Sequence, residues 1–471
     1  MRSVALALAV LSTLSLGACA VARKPDLGLP AAYEAPAGPP PGVIALDTWW
    51  TAYDDPDLTT LVQQALERNP DVRTARSRID EVEAQRWQAI LQYLPQGDAS
   101  YTSRRTHTDQ LAGTTVSIPG FTNSGASVTQ SANFNVSWEV DPFGRGLFAA
   151  KAANAEVAQL RYAYETTRAT IAAQTADAWF QAKGLAIQLA DARQTVRIQS
   201  ELYDLATRKA EAGLAGATDA DRVAGELAAA NAQVEALDAQ LQVQKRAILI
   251  LAGRVVEPTA NIEATPEVGA IPAVPAALPS ELLERRPDVR GAQAALRSQK
   301  NQKVLDALAL FPTFSFTPSL GWQKVKQPGF SSTSQNWVLG GTVTQPILSI
   351  PRLLSEWKAQ DARTEQAVIT YEKTVQTAFQ EAESALVNLG ADRRRVALLT
   401  DGEVRARRAY DASKAAYERG LTDLSTTLQA EQSWRSVRAQ LTSAEVQALR
   451  RSVQAYKAIG GGWPAQTYAA K

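Results

Sequence analysis

The sequence predicts a mainly α-helical fold with a small β part, built as a long antiparallel coiled-coil and internally duplicated. Three observations carry that prediction. First, Gly146 to Ala212 and Arg352 to Arg419 each run roughly 67 residues with no proline beyond the first turn, or about 100 Å as helix at 1.5 Å per residue. Second, apolar residues in both stretches step alternately by three and four, the seam of a left-handed coiled coil. The steps are Val368, Tyr371, Val375, Ala378, Ala382, Ala385 and Leu389 in one. In the other they are Ala178, Ala182, Leu185, Leu189, Ala192, Val196, Tyr203, Ala206 and Ala210, with Gln199 filling one seam position. Third, the chain repeats itself. ALERNPDVR at 65–73 returns as LLERRPDVR at 282–290, an offset of 217 that holds through Pro95/Pro312; an offset of 207 then pairs Arg145/Arg352, Tyr164/Tyr371, Tyr203/Tyr410 and Gly213/Gly420. The change of offset places extra residues of the first copy between Pro95 and Arg145, where a hairpin loop is expected.

The N-terminus reads as a secretory signal, with Arg2 ahead of the apolar run Val4 to Leu16. That run is roughly thirteen residues, too short to span a bilayer. Leu16-Gly17-Ala18-Cys19 resembles the bacterial lipobox, which implies a diacylglyceryl thioether and an acyl chain on Cys19; an ordinary signal peptide with an incidental cysteine is the alternative. Cys19 is the only cysteine. Ala20 follows it where Asp would imply inner-membrane retention, so the pattern implies the outer membrane. Pro30 to Pro41 reads as an extended tether able to hold the anchor far from the folded body. The expected organisation is a signal at 1–18, a lipid-anchored tether at 19–45, a first repeat at 46–270, a second at 271–463 and a tail at 464–471.

Each repeat opens with a shorter helix, Asp71 to Leu94 or Asp288 to Leu310, with an acidic residue where the helix dipole favours it and Pro95 or Pro312 to stop it. Period-two segments follow. Asn133 to Val140 alternates Phe134, Val136 and Trp138 with polar residues; Thr313 to Trp322 puts Phe314, Phe316, Leu320 and Trp322 on one face; and Trp337, Leu339, Gly341 and Val343 form another half-apolar strand. Ala99 to Thr108 is weaker, with Tyr101 nearly its only apolar residue on that face. Four strands cannot close a membrane barrel, the smallest of which have about eight. Either several chains share one barrel, or the strands are hairpins on a soluble core. The long helices turn at Gly213-Leu214 and Gly420-Leu421 and return as Asp219 to Leu251 and Asp423 to Ile459, giving two antiparallel hairpins.

Composition narrows the function. Lys plus Arg number 49 against 48 for Asp plus Glu, so bulk charge points to no nucleic acid. One Cys, one His and one Met leave no material for a disulfide framework, a Cys/His zinc cluster or most His-based triads. No enzyme, metal or cofactor is expected beyond the lipid. His107, near the expected outer loop, reads as a solvated side chain.

Together these features resemble the TolC-like outer-membrane factor family (outer membrane efflux protein), in its lipoprotein branch of NodT and OprM type. The resemblance rests on Trp49-Trp50, Asp55-Pro56 and Leu58, PSELLERRPDVR at 279–290, Asp141-Pro142-Phe143-Gly144-Arg145 and Gly460-Gly461-Gly462-Trp463, within a match to nearly all of the mature chain. It implies a homotrimer closing a twelve-stranded barrel, with Phe134, Trp138, Phe314, Phe316, Trp322 and Trp337 facing outer-membrane lipid. It implies a passive exit duct for drugs or other small toxic compounds, working with a periplasmic adaptor (membrane fusion protein) and an inner-membrane pump of RND type. Gly213, Leu214, Gly420 and Leu421 would be the periplasmic tips that meet the adaptor, or simply helix caps. The pore constriction would lie at Ser425 and Gln429, a neutral pair where the family often has Asp; Asp423, Arg419, Asp219, Asp221 and Arg222 are nearby charged candidates. Leu348-Ser349-Ile350-Pro351-Arg352 also departs from the family's Phe and paired Gly, so a differently shaped turn is expected there. Two rival functions remain, a type I protein-secretion duct and a periplasmic adaptor or scaffold lipoprotein; the latter would normally show a single helical hairpin.

Overall fold

The computed structural model describes residues 25–34, 45–109, 125–214, 216–275 and 279–464. Cys19 and the signal therefore lie outside the described residues, as do most of the loop at 109–124 and of the tail. After a 3₁₀ segment at Leu46–Tyr53 come helices α1 (Pro56–Arg68) and α2 (Pro70–Leu91), strands β1 (Gln96–Thr108) and β2 (Gly125–Val140), and helices α3 (Arg145–Glu211) and α4 (Ala217–Leu251). The second copy contributes α5 (Pro287–Leu308), β3 (Thr313–Phe316), β4 (Ser319–Gln327), β5 (Phe330–Val338), β6 (Gly341–Thr344), α6 (Ile350–Glu418) and α7 (Leu424–Ala458). Among the described residues no helix is long and apolar enough to cross a membrane.

Two compact units result, each drawn from both repeats: Asp80–Gln159 with Gln293–Thr370, and Asp26–Ile79 with Leu160–Ala292 and Tyr371–Lys471. The first holds an antiparallel sheet in the order β1-β2-β4-β5, with β2-β3-β6 continuing it at one end. Thr313 to Trp322 is not one unbroken strand as expected. Its ladder is interrupted between Phe316 and Ser319, where Pro318 has no N–H to give; instead Pro318 accepts at its carbonyl from Val136 N–H at 2.9 Å. The Trp337 to Val343 segment is likewise interrupted, and the Gly340 carbonyl there accepts from Thr317 N–H at 2.8 Å. Register survives both interruptions, since Trp138 pairs Phe316 as Phe134 pairs Leu320, and Phe316 pairs Gly341 as Leu320 pairs Trp337. Six strand segments thus form four lines.

In the second unit the helices pack as antiparallel hairpins. Gln244 of α4 donates to the Ala178 carbonyl of α3 at 3.1 Å, and Trp434 of α7 donates through its indole N–H to Glu403 of α6 at 2.9 Å. The α3 and α7 helices also run antiparallel, joined by Arg450–Asp177 at 2.7 Å, Arg438–Asp191 at 3.1 Å and Gln199–Glu431 at 2.7 Å. All seven seam residues expected in α6 are buried, from Val368 to Leu389. In α3 the expectation fails at Tyr203, which is exposed while Leu202 is buried. At this one position Leu202 takes the buried place, packing into a cluster with Ile198, Val223, Tyr410, Tyr417, Leu424, Leu428 and Ala206, which keeps its expected seam position.

Of the expected tether, residues 25–34 are described, and they lie along α6. Asp26 N–H donates to Glu372 at 2.9 Å, Glu34 N–H donates to Glu383 at 3.2 Å, and the Tyr33 ring stacks on Phe379 at 5.6 Å. The segment is held along α6 rather than free in solvent, since a stacked ring and two bonded amides offset its chain entropy.

Candidate functional site

Register divides the sheet into two unlike faces. Directly opposed residues point the same way, so the rows Ala99–Phe134–Leu320–Trp337 and Tyr101–Ala132–Trp322–Gln335 share a face. Trp138 with Phe316, and Val140 with Phe314 and Val343, extend it. All six aromatic residues singled out from the sequence thus lie on one face. Phe134, Trp138, Phe316 and Trp337 are exposed there, Trp337 at 72%. Phe314 and Trp322 are half-buried, Phe314 against Phe143 at 6.3 Å between ring centroids. The opposite face is polar, carrying Asn133, Asn135, Ser319, Gln323 and Asn336. One apolar face and one polar face fit a wall between lipid and water.

At the joint between sheet and helices, Asp141 and Arg145 earn their place in the DPFGR motif. The Asp141 carboxylate accepts from Gly146 N–H at 2.8 Å, at the start of α3. The Arg145 guanidinium pairs with Glu139 at 2.9 Å and donates to the carbonyls of Leu308 and Phe311, both at 2.9 Å. It therefore adds a donor to the Leu308 carbonyl, which also accepts from Phe311 N–H at 3.1 Å, and supplies one to the Phe311 carbonyl, where α5 ends. The turn into α6 is built differently from the turn into α3: Ile347 and Leu348 are exposed and Pro351 sits in the first helical turn, where its missing N–H is no loss.

The two hairpin tips are alike. Leu214 N–H donates to the Lys209 carbonyl at 2.8 Å and Gly213 N–H to the Ala210 carbonyl at 3.0 Å; Leu421 to Ala416 and Gly420 to Tyr417 repeat the pattern at 2.9 and 3.0 Å. This is the Schellman cap, with Gly213 and Gly420 at φ of 70° and 74°. The leucine that follows each glycine normally packs back on its helix, yet Leu214 is 78% and Leu421 76% exposed.

The constriction candidates are only partly brought together. Ser425 and Gln429 lie one turn apart on the exposed face of α7, opposite the buried Leu424, Thr427 and Leu428. Asp423 caps α7, accepting from Thr426 N–H at 2.7 Å, and that bond holds its carboxyl below the usual range. Arg419, Asp221 and Arg222 are exposed and Asp219 is half-buried. His107 is exposed, with Nε2 3.1 Å from an Asp109 oxygen.

Several residues escaped the sequence reading. Glu431 is fully buried, and burial pushes its carboxyl above the ordinary range despite Arg435 nearby and the amide of Gln199. A glutamine in an apolar seam was the available signal, because a buried amide needs a partner. Lys209 crosses between the two hairpins, donating to the Tyr417 carbonyl at 2.9 Å with its ammonium 3.7 Å from the ring centre. Asp55 caps α1, accepting from Leu58 N–H at 3.0 Å, and also takes Trp179 at 2.8 Å and Lys183 at 2.9 Å. Burial opposes its ionisation, but the three donors outweigh it and hold the carboxyl below its usual range.

The remaining motif residues meet in one aromatic core. Trp49 stacks on Tyr456 at 5.6 Å, Tyr53 packs on Phe180 at 4.9 Å and its hydroxyl lies 2.6 Å from Ser452 Oγ. Gly462 N–H donates to the Leu46 carbonyl at 2.8 Å, and the Trp463 indole to the Arg285 carbonyl at 2.8 Å. The WW, RRPD and GGGW segments, far apart in sequence, thus close one another.

Comparison with known proteins fits this geometry. Residues 61–254 and 278–461 match the model of the outer membrane efflux protein family, once for each repeat. The chain is 27% identical to the pyoverdine export outer membrane protein OpmQ of Pseudomonas aeruginosa, over 96% of this chain and 95% of that protein. It is 28% identical to the outer membrane protein OprJ of the same species, over 97% and 95%. Among solved structures, the outer-membrane channel OprN superimposes with a TM-score of 0.81 at 25% identity, covering 94% of this chain and all of that one. The open state of the Neisseria gonorrhoeae MtrE channel superimposes at 0.80 with 22% identity, over 94% and 98%. Fold, repeat and coverage agree: the chain belongs to the outer membrane efflux protein family and is an outer-membrane efflux channel.

Proposed function

We propose that this chain forms a homotrimeric, passive exit duct for small toxic compounds, with a twelve-stranded barrel shared by three copies. The observation that carries this is the four-line sheet. Its β1 and β5 edges are each paired on one side only among the described residues, and it has one apolar and one polar face. An open edge in lipid leaves backbone groups without partners, so closure by neighbouring copies is the arrangement a bilayer allows. The exposed Leu214 and Leu421 tips suit docking to a periplasmic adaptor, with an inner-membrane pump of RND type behind it. The duct performs no chemistry of its own and needs no cofactor; a lipid on Cys19 serves sorting. The names of OpmQ and of the toluene and antibiotic efflux relatives in Pseudomonas putida point to small-molecule cargo.

The test is direct. Purified full-length protein in detergent is expected to have the mass of three chains and to conduct ions in planar bilayers. A monodisperse monomer without conductance would refute the duct. Cys19→Ala is expected to reduce the outer-membrane fraction in cells while leaving single-channel conductance intact, and insertion without conductance would contradict the auxiliary role of the lipid.

A further inference from the structure

The apolar face of the sheet changes character toward the β1–β2 and β4–β5 turns. Past the Tyr101–Ala132–Trp322–Gln335 row come Ser103–Gln130–Lys324–Thr333 and then Arg105–Val128–Lys326–Ser331. Arg105, Lys324 and Lys326 therefore sit on the same face as Phe134, Trp322 and Trp337. Arg105 and Lys326 stand two strands apart, roughly 9–10 Å, with Lys324 one row nearer the aromatics. None of the three forms an ion pair or hydrogen bond with a described residue. The nearest acid on this face, Asp109, is engaged by His107 at 3.1 Å.

Height fixes what such cations meet. From Trp138 to Val128 is ten residues along β2, about 33 Å of strand and about 25 Å along the membrane normal at a barrel tilt near 40°. That equals the height of a barrel's apolar belt. The opposite end of the sheet joins α2, α3, α5 and α6, so the cations lie at the end away from the helices. A charge on the lipid face is costly at mid-bilayer and cheap at the interface, and three cations without a partner among the described residues attract anionic headgroups there.

We propose that Arg105, Lys324 and Lys326 form a binding site for the phosphate groups of an anionic glycolipid of the outer leaflet. The site rests on the barrel reading above, which sets the face toward lipid. Arginine grips phosphate through its planar fork and the lysines act as point charges. The phosphates thereby anchor the outer rim of the barrel at the headgroup level, while the aromatic residues hold the opposite rim.

The test uses purified full-length protein and lipid nanodiscs doped with bisphosphorylated lipid A, dephosphorylated lipid A or phosphatidylglycerol, with binding read by native mass spectrometry. Wild type is expected to prefer the bisphosphorylated form. The triple variant Arg105→Gln, Lys324→Gln, Lys326→Gln is expected to lose about a hundredfold in affinity, at about fivefold per cation near an anionic surface. Arg104→Gln, on the polar face opposite Thr129, is expected to lose nothing. Equal binding of phosphorylated and dephosphorylated lipid A by wild type would overturn the site without any variant. So would equal retention of phosphatidylglycerol, or displacement by inorganic phosphate below millimolar concentration. Conductance of the same preparation reads the duct separately: a conducting protein indifferent to phosphate sinks this site alone.

Discussion

The two repeats solve one packing problem with different chemistry. Where the returning helix of each hairpin ends, its last carbonyls face the RxPDVR turn. In the first copy Asn69 donates to the Leu251 carbonyl at 3.1 Å, and its own side-chain oxygen accepts from Asp71 N–H at 2.8 Å. In the second the equivalent Arg286 donates to the Ala458 carbonyl at 3.3 Å and to Ala378 at 3.4 Å, while ion-pairing Asp288 at 2.6 Å and Glu381 at 2.7 Å. The contact survives duplication; the neutral amide became a buried charge with two counter-ions. Arg145 and Arg352 diverged the other way. Arg145 is half-buried and donates to two carbonyls, whereas among the described residues Arg352 makes only an exposed pair with Glu356 one turn on, and such a pair contributes little. Duplication preserved backbone geometry, and each copy assigned its charged cross-links afresh.

The largest expected effect breaks this comparison at its centre. Arg286→Ala removes a buried guanidinium from Asp288, Glu381 and two carbonyls; both carboxylates left behind are partly exposed and rehydrate, so it is expected to cost about 3 kcal/mol, against about 1 kcal/mol for Asn69→Ala, whose loss is a cap. Thermal unfolding of the two variants in one detergent checks it, and equal costs would erase the distinction between the junctions.

Next come the glycines beside those residues. A Cβ on Gly460 would meet the Arg285 backbone at 2.8 Å, and one on Gly253 the Arg68 Cβ at 2.7 Å, both at positive φ. Alanine at either is expected to cost about 2–3 kcal/mol, more at Gly460, where the obstacle is the main chain on both counts.

A smaller and pH-dependent effect belongs to Asp55. The first copy fastens its N-terminal segment through this carboxylate, whereas in the second Arg393 donates to the Pro272 carbonyl at 2.7 Å. Because the folded carboxyl is held below its ordinary value, its contribution is present above the unfolded pKa and lost as pH falls through the folded one. Asp55→Asn is expected to cost about 1–2 kcal/mol at pH 7 and nothing extra once the wild type is protonated; a pH series of melting temperatures for both proteins would show whether the curves converge in acid.

The smallest effect is a control. Gly213→Ala and Gly420→Ala have open space around the new methyl and nearly equal positive φ, so each is expected to cost about 1 kcal/mol, and equally. A clear inequality between them would mean that the two tips differ in some way their caps do not show.

Much of this was legible beforehand because periodicity and repetition are local. The α6 seam, the hairpin turns and the aromatic face each follow from spacing within one segment. The burial of Leu202 in place of Tyr203 was not, since what α3 buries at that position is set by Tyr410, Tyr417 and Leu424 from the other hairpin. The interruption at Pro318 was written in the residue itself, yet the unbroken alternation of Phe314, Phe316, Leu320 and Trp322 concealed it.

By itself, then, the sequence determined the duplicated order of helix, strands and hairpin, because heptad and period-two patterns report which face of an element must leave water. Only the tertiary structure decided which polar groups meet across helices: Arg286 with Glu381, Gln199 with Glu431, Asp55 with Lys183. It also decided that Arg105, Lys324 and Lys326 share one face of the sheet. The physical reason is that strand register and helix partners are set by contacts between distant segments, and a charge in a linear string carries no mark of the neighbour that will balance it.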